Sequence, residues 1–280
     1  MSDVAPAGRV AWYDLAGHAS SPPLLMAHAT GFHGRMFAPV AAALSALYRC
    51  VAFDERGHGD TPAPDDGVFD WHGFAADALD AIDAAGLERP FGVGHSAGGA
   101  ALLLAEIARP GTFRAIYCYE PIVAPVDDPS QFVGSQSNPL AASARKRRAT
   151  FPSKDEAYEN YASKPPMMGF HPDALRAYVD HGFRELPGGS GVTLKCDPEH
   201  EARTYEMGMR HGAYSRFGEI TCPVTIAWGS ETTTFGPDTF VKQAEALPHG
   251  RTEPLAGLGH FGPFEDPERI AASVRRAFAE

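Results

Sequence analysis

A serine flanked by glycines is the clearest candidate for chemistry in the chain. Residues 94–98 read Gly-His-Ser-Ala-Gly, with Ser96 at the centre, and match the pattern Gly-x-Ser-x-Gly. The match stands where an apolar strand predicted over Phe91–His95 gives way to an apolar helix predicted over Ala97–Arg109. Such a turn exposes the serine hydroxyl, and it needs glycines because a Cβ would collide with neighbouring backbone. We therefore predict that Ser96 is a nucleophile that adds to a carbonyl carbon and forms an acyl-enzyme.

His260 is the histidine best placed to act as the base for that serine. A serine hydroxyl must lose its proton as it attacks, and histidine has the pKa suited to removing it. His260 follows the last predicted strand, in the glycine-rich loop 257–265, and we expect this loop to return to the sheet edge that carries Ser96. His95 adjoins Ser96 but cannot easily curl back to it, so we interpret it as a structural or pocket-wall residue.

The acid of a serine–acid–histidine triad is not at its commonest position. An aspartate three residues after Gly229 would normally supply it, but Thr232 stands there and cannot carry the charge that stabilises an imidazolium. Glu120 ends an apolar strand, where an unpaired carboxylate would be costly, and we predict that it is the acid. Glu231, one position short of the usual site, is the alternative.

Backbone N–H groups of two turns are predicted to bind the negative oxygen of the tetrahedral intermediate. Thr30 lies in the loop after the strand Leu24–His28, and Ala97 directly follows the nucleophile. Ala29 occupies the position where such loops usually carry glycine, and we interpret His28 as a residue that orders the loop. The predicted substrate pocket comprises Phe32, His95, Met167, Met168 and Phe261.

Short apolar runs alternate with helical patterns near both ends of the chain, which predicts an α/β fold with a mostly parallel central sheet flanked by helices. We assign residues 1–124 and 220–280 to this core. Residues 125–219 contain helical segments and no convincing strand, so we predict a helical cap inserted into the core. Asp238 and Asp266 are interpreted as helix N-caps. The predicted strands are Val10–Leu15, Leu24–His28, Tyr48–Phe53, Phe91–His95, Arg114–Glu120, Pro223–Trp228 and Arg251–Leu255.

Composition and charge exclude several classes of function. The formal net charge of −11 would repel a polyanion over most of the surface, so we expect no nucleic-acid partner. The histidines show no metal-binding spacing and the four cysteines form no CxxC pair, so we expect no metal and reduced thiols. The lack of a leader-like or bilayer-length apolar segment predicts a cytoplasmic enzyme without a membrane partner. The expected partner is a small-molecule substrate, and a homodimer is compatible with these features.

The motifs taken together resemble the α/β-hydrolase superfamily. The matching segments are His28–Phe37, Asp54–Thr61, Gly94–Gly99 and Gly257–Pro267, in the order of that family's elements. An acid at Glu120 looks like the arrangement in haloalkane dehalogenases and some lactone hydrolases, although those dehalogenases use an aspartate nucleophile. The resemblance implies a helical cap, no metal, no organic cofactor and hydrolysis of an ester-like bond.

The sequence leaves the reaction itself open. Our main hypothesis is hydrolysis of a carboxylic ester or lactone, in which Ser96 attacks, His260 moves the proton and Glu120 holds the imidazolium. Similar enzymes run carbon–carbon bond hydrolysis and perhydrolysis on the same triad, and a non-catalytic ligand receptor is a third alternative. We interpret the basic run Arg145–Arg148 as a solvated helix face, with attraction of an anionic substrate as the alternative.

Overall fold

The alternating strands and helices form one seven-stranded sheet with helices on both faces. The computed structural model describes residues 10–128 and 138–279, so residues 1–9, 129–137 and 280 of the predicted core and insertion lie outside it. The strands are β1 Trp12–Ala16, β2 Pro23–Ala27, β3 Arg49–Phe53, β4 Phe91–His95, β5 Ile116–Tyr119, β6 Thr150–Phe151, β7 Phe183–Glu185, β8 Val192–Leu194, β9 Val224–Gly229 and β10 Gly250–Leu255. The α-helices are α1 Ala38–Leu44, α2 Trp71–Ala84, α3 Ala97–Ala108, α4 Pro139–Arg145, α5 Lys154–Ala162, α6 Pro172–Gly182, α7 Pro198–Met207, α8 Pro237–Glu245, α9 Gly262–Glu265 and α10 Pro267–Phe278.

The order of the strands brings the predicted site residues to one edge of the sheet. The order is β1-β3-β2-β4-β5-β9-β10. Only β1 pairs antiparallel with its neighbour, and the other neighbouring pairs of this sheet are parallel. Parallel neighbours need crossover connections, which place helices on the faces of the sheet. The loops that follow β2, β4, β5, β9 and β10 therefore begin at the same edge, where α/β proteins bind ligands.

Apolar side chains of the sheet alternate between two core layers. Along β2, Leu25 and Ala27 face the layer that contains α2, α3 and α8, whereas Leu24 and Met26 face the layer that contains α1 and α10. All four side chains are fully buried. Both faces of the sheet are buried, and each Å² of apolar surface removed from water stabilises the fold by about 25 cal/mol. The sheet is thus a rigid support for the loops at its edge.

Of the two helix N-caps predicted from the sequence, one is confirmed and the other is wrong. Asp266 is the N-cap of α10, as predicted, and its carboxylate accepts the Arg269 N–H at 3.1 Å. The N-cap of α8 is Gly236, so the prediction that Asp238 is the N-cap is wrong. Pro237 occupies the first helical position, which starts the helix earlier and places Asp238 in its first turn.

The insertion between β5 and β9 contains strands that the sequence does not predict. β6, β8 and β7 form an antiparallel three-stranded sheet, so the expectation of a segment without strands is wrong. Each strand has only two or three residues, too few for an alternating pattern to be recognised. Helix α7 lies against the turns that follow β2 and β3, because Glu201 contacts Gly31 and His200 contacts Gly57. The insertion therefore covers this part of the sheet edge.

Several features that indicate other kinds of protein are not found in residues 10–128 and 138–279. No helix there is long and apolar enough to cross a bilayer. Within the same ranges, histidine, cysteine and acidic side chains form no group of three or more that could hold a metal ion. The cysteines are buried free thiols at positions Cys50, Cys118, Cys196 and Cys222.

Candidate active site

Ser96 occupies a strained turn between β4 and α3. Its backbone has φ 55° and ψ −115°, in the region that L-residues with side chains rarely adopt. Ser96 is the N-cap residue of α3 but makes no side-chain capping bond, so its hydroxyl does not serve the helix. Strain of this kind at a polar residue is typical of functional sites. The geometry agrees with the sharp strand-to-helix turn expected from the Gly-x-Ser-x-Gly motif.

His260 and Glu120 are directly joined. His260 Nδ1 lies 2.7 Å from Glu120 Oε2, across 140 positions of sequence. Because a carboxylate only accepts hydrogen bonds, the imidazole proton is on Nδ1 and Nε2 is left to accept another. This is the orientation that a general base needs.

The carboxylate of Glu120 is held by three donors. It is fully buried, and besides His260 it accepts the Gly229 N–H at 3.0 Å and the Thr232 hydroxyl at 2.7 Å. Its backbone φ of 47° is a second strained position at this edge of the sheet. Glu231 is exposed and accepts a hydrogen bond from the Ser230 hydroxyl, so its carboxylate is engaged away from His260. Between the two carboxylates weighed from the sequence, only that of Glu120 bonds His260.

Thr232 is a site residue whose role the sequence analysis missed. It occupies the position at which an aspartate was expected, and it was considered only as a residue that cannot carry charge. In the structure its hydroxyl donates to the carboxylate that comes from β5 instead. The signal in the sequence was the pairing of a polar residue at the usual acid position with a glutamate at the end of another strand.

Ser96 lies beside this acid–base pair. β4 and β5 are parallel neighbours with His95 opposite Tyr119, and the Ser96 N–H donates to Tyr119 O at 2.9 Å. The ring of His95 is centred 5.0 Å from that of His260. Among the contacts of the described residues, no hydrogen bond joins the Ser96 hydroxyl to His260. In enzymes without substrate such contacts are commonly long, and they shorten in the complex.

The loop that carries His260 is fixed by hydrogen bonds from three directions. His95 Nε2 donates to His260 O at 2.8 Å, and the Tyr119 hydroxyl donates to Gly259 O at 2.7 Å. The Gly259 N–H in turn donates to Glu265 at 2.8 Å. Burial lowers the pKa of His95 well below its usual value, and the nearby His260 lowers it further, so His95 stays neutral. His95 therefore has a structural role, which is one of the two interpretations drawn from the sequence. Tyr119 also holds this loop, a role that the sequence analysis missed.

The first predicted oxyanion donor, Ala97, is available at the start of α3. Ala97 is the first residue of the helix, so its N–H has no acceptor within the helix. The start of α3 packs tightly on the end of β2. A Cβ on Gly98 would lie 2.3 Å from Ala27 O and 2.6 Å from His28 O, closer than any real contact. Glycine at position 98 therefore allows the Ala97 N–H to approach the loop after β2.

The second predicted donor, Thr30, lies in that loop. Thr30 is the second residue of a turn that the Phe32 N–H closes on Ala29 O at 3.2 Å, and closing the turn does not use the Thr30 N–H. His28 orders this loop, as expected, because its Nδ1 donates to Ala29 O at 2.8 Å and its Nε2 accepts the Glu55 N–H at 3.0 Å. Burial lowers the pKa of His28, which keeps the ring neutral and able to accept.

Aromatic rings surround the predicted pocket. The ring of Phe32 is centred 5.4–6.1 Å from four other rings, those of Phe170, Tyr178, Phe261 and Phe264. Phe261 also contacts His260, at 5.0 Å between centroids. Met167 is buried in the same apolar layer. Met168 is 60% exposed and lies at the surface, so it is not part of this cluster. The wall therefore consists of phenylalanines more than of the two methionines.

Comparisons with known proteins agree with the fold. Haloalkane dehalogenase 2 of Mycobacterium tuberculosis is 24% identical over 276 residues, which cover 97% of this chain and 92% of that protein. The crystal structure of E-2-(acetamidomethylene)succinate hydrolase superposes with a TM-score of 0.80 at 19% identity, over 97% of this chain and 94% of that one. The enol-lactonase from Burkholderia xenovorans LB400 gives a TM-score of 0.72 at 19% identity, over 97% and 96% of the two chains. The model of the alpha/beta hydrolase family matches residues 24–273, and the chain therefore belongs to the alpha/beta hydrolase family.

Proposed function

We propose that this chain hydrolyses a carboxylic ester or lactone of a small, largely apolar molecule, with Ser96, His260 and Glu120 as its catalytic triad. The hydrogen bond between His260 Nδ1 and the buried carboxylate of Glu120 supports this proposal most directly. A carboxylate in this position holds one tautomer of the imidazole and stabilises the imidazolium that forms during the reaction. The family membership supports a hydrolase in general.

The proposed reaction proceeds in two halves. Ser96 Oγ bonds to the carbonyl carbon while its proton moves to His260 Nε2, and the Thr30 and Ala97 N–H groups stabilise the negative oxygen. The intermediate collapses to an acyl-enzyme, and His260 gives its proton to the leaving alkoxide. Water then attacks the acyl-enzyme by the same route, and the acid leaves as Ser96 regains its proton.

The surroundings of the triad support an apolar substrate. Phe32, Phe170 and Phe261 pack together beside His260, and apolar pockets bury most of a small ligand's surface. The insertion, residues 125–219 by the sequence division, acts in this proposal as a cap that encloses the acyl or alcohol part. The position of Glu201 of α7 close to Gly31, in the turn that contains Thr30, supports this role.

A kinetic comparison of two carboxylate variants tests the proposal. Esters of 4-nitrophenol with increasing acyl length, and a panel of lactones, are assayed with the wild-type chain, Glu120→Gln and Glu231→Gln. Removing the triad acid typically lowers kcat by about 10⁴-fold, so we expect a fall of about 10³–10⁴-fold for Glu120→Gln. The exposed Glu231→Gln is the matched control and should change kcat less than about 2-fold. Equal activity of the Glu120→Gln variant and the wild-type chain would contradict the assigned triad.

A further inference from the structure

Arg147 does not behave as part of a solvated basic run. Arg145 and Lys146 are exposed, but Arg147 is half-buried within the insertion. Its guanidinium donates to Glu201 Oε2 at 2.5 Å and to the hydroxyl of Tyr178. The expectation of a uniformly solvated face is therefore wrong, because α4 ends at Arg145 and the chain then turns inward.

This guanidinium lies beside the turn that holds the predicted oxyanion donor Thr30. Gly31 follows Thr30 and has φ 82°, which favours glycine. A Cβ on Gly31 would lie 2.6 Å from Glu201 Oε1 and 3.3 Å from Arg147 Nη1. A cation is thus fixed within a few ångströms of the loop at which the reacting carbonyl would sit.

Arg147 is half-buried, and 19% of its side-chain surface is accessible to solvent. Tyr161 and Tyr178 flank the guanidinium, with ring centroids 5.8 Å and 5.9 Å from its central carbon. The buried Tyr161 hydroxyl is close to Arg147 but makes no hydrogen bond of good geometry with the described residues. The Tyr161 hydroxyl and the guanidinium of Arg147 therefore lie side by side.

The ion pair between Arg147 and Glu201 is better explained by a role in binding a ligand than by a contribution to the stability of the fold. Buried ion pairs are weak stabilisers, because the cost of desolvating both charges cancels much of their attraction. Arginine has five N–H donors in a planar arrangement, and those of Arg147 contact one oxygen of Glu201 and one of Tyr178. Planar guanidinium groups match carboxylates, and Glu201 fixes the plane of this one in advance.

We propose that Arg147, together with the Tyr161 hydroxyl, binds a carboxylate on the substrate away from the bond that is cleaved. The inference rests on the proposed function and names its substrate class: esters or lactones that carry a free carboxylate on an otherwise apolar chain. Phe32 contacts Tyr178, and Tyr178 contacts Arg147, so the phenylalanine cluster is connected to this guanidinium through one ring. Glu201 lowers the net charge of the subsite but keeps the guanidinium oriented, and a carboxylate binds on the side that Glu201 leaves open.

Two esters with the same six-carbon acyl chain test this selectivity. Mono-4-nitrophenyl adipate carries a terminal carboxylate, and 4-nitrophenyl hexanoate does not. For the wild-type chain we expect kcat/KM to favour the adipate, and in Arg147→Met we expect the ratio of the two values to fall about 10- to 100-fold, as for the loss of a charge-assisted pair. Arg145→Met, on the exposed end of α4, is the control and should leave the ratio unchanged. Tyr161→Phe should lower the ratio severalfold.

Binding to an inactive variant separates this inference from the proposed function. Monomethyl adipate is titrated calorimetrically into Ser96→Ala and into Ser96→Ala combined with Arg147→Met or Arg147→Lys. We expect the Kd to rise at least 10-fold with methionine and less with lysine, whichever bond the native enzyme cleaves. If Arg147→Met slows both esters equally and leaves the Kd unchanged, Arg147 only supports the fold and the inference is wrong. If the Kd depends on Arg147 but no ester or lactone is turned over, the carboxylate subsite stands and the proposed function fails.

Discussion

At the scale of single residues, the distinguishing feature of this site is the position of its proposed acid, Glu120. The position after β9 that usually carries the acid holds Thr232, and the carboxylate comes from Glu120 after β5. Thr232 donates its hydroxyl to that carboxylate at 2.7 Å, and Gly229 donates its N–H. The loop that would have supplied the acid therefore supplies two hydrogen-bond donors to it. A buried polar group is costly unless hydrogen-bonded, and these donors satisfy the carboxylate.

The hydroxyl of Thr232 can be tested alone. Thr232→Val keeps the shape of the side chain but removes a donor to a charged group, an interaction worth about 1.5–3 kcal/mol. We expect kcat on the preferred ester to fall about 10-fold. Thr232→Ser restores the donor and should recover most of the activity, and Thr233→Val, at an exposed neighbour, should have no effect. Full activity of Thr232→Val would show that the other donors suffice to hold Glu120.

The sequence indicates the surroundings of some site residues and not of others, for a physical reason. For Ser96, His260 and Glu120, the neighbouring sequence indicates the surroundings of the residue. These are, in turn, a strand end, a glycine-rich turn and an apolar strand with one carboxylate. The roles of Thr232 and Arg147 depend on partners more than 50 positions away in sequence. Nothing in their immediate sequence indicates these partners, and for Arg147 the neighbouring charges suggested the opposite environment.

Among the elements, the junction of β4 with α3 carries the proposed nucleophile. β4 is adjacent and parallel to β2 and β5, so its end lies between the loop of the proposed oxyanion donor Thr30 and the proposed acid Glu120. The first turn of α3 must pack directly on the end of β2, and Gly98 allows this contact. A helix displaced by even a few tenths of an ångström would move the Ala97 N–H from its donor position.

The contact at Gly98 predicts a large effect on stability. In Gly98→Ala the new Cβ would meet the carbonyl of Ala27 at 2.3–2.4 Å, and that backbone lies in the middle of the sheet and cannot move aside. We expect the free energy of unfolding to fall by about 3 kcal/mol, the upper part of the range for overpacking. Gly218→Ala, where a Cβ meets nothing within 4 Å, is the matched control. Urea denaturation of both variants measures the difference, and equal midpoints would contradict the packing described for this junction.

Sequence patterns located long elements of the core and failed at the short strands of the insertion. β4 lies at Phe91–His95 as predicted, and α3 ends within one residue of its predicted end, because a continuous apolar run bounded by glycines leaves little choice. The strands β6, β7 and β8 escaped detection because two or three residues carry no periodicity. The pairing of β6 with β8 joins segments that are far apart in the sequence, so it is a tertiary effect.

On the scale of the whole molecule, burial of histidines makes stability depend on pH. Burial lowers the pKa of His33 to about 3 and that of His58 to about 4, and His28 and His95 shift in the same direction for the same reason. These rings stay neutral in the folded chain but take up protons near pH 6.5 when it unfolds. Unfolding is therefore favoured as the pH falls below 6.5. Burial raises the pKa of Asp54 to about 6, which acts with the opposite sign.

A single variant isolates this contribution. His33 is 2% exposed and donates through Nε2 to Tyr178 O, a bond that a glutamine amide can replace. His33→Gln removes the titrating group, so the decrease in the free energy of unfolding between pH 6 and pH 5 should become smaller by about 1 kcal/mol per pH unit. The exposed His72→Gln serves as the control. Identical pH profiles for His33→Gln and the wild-type chain would contradict a neutral buried His33.

Covalent labelling of Ser96 tests the central claim of the account most directly. The wild-type chain, Ser96→Ala and His260→Ala are incubated with a fluorophosphonate, and intact mass and peptide mapping locate the adduct. We predict one adduct at Ser96 in the wild-type chain, none in Ser96→Ala, and labelling slowed by at least about 10²-fold in His260→Ala, since the base activates the hydroxyl. An adduct that persists in Ser96→Ala, or a native chain that remains unlabelled, would contradict the assignment of Ser96 as the nucleophile.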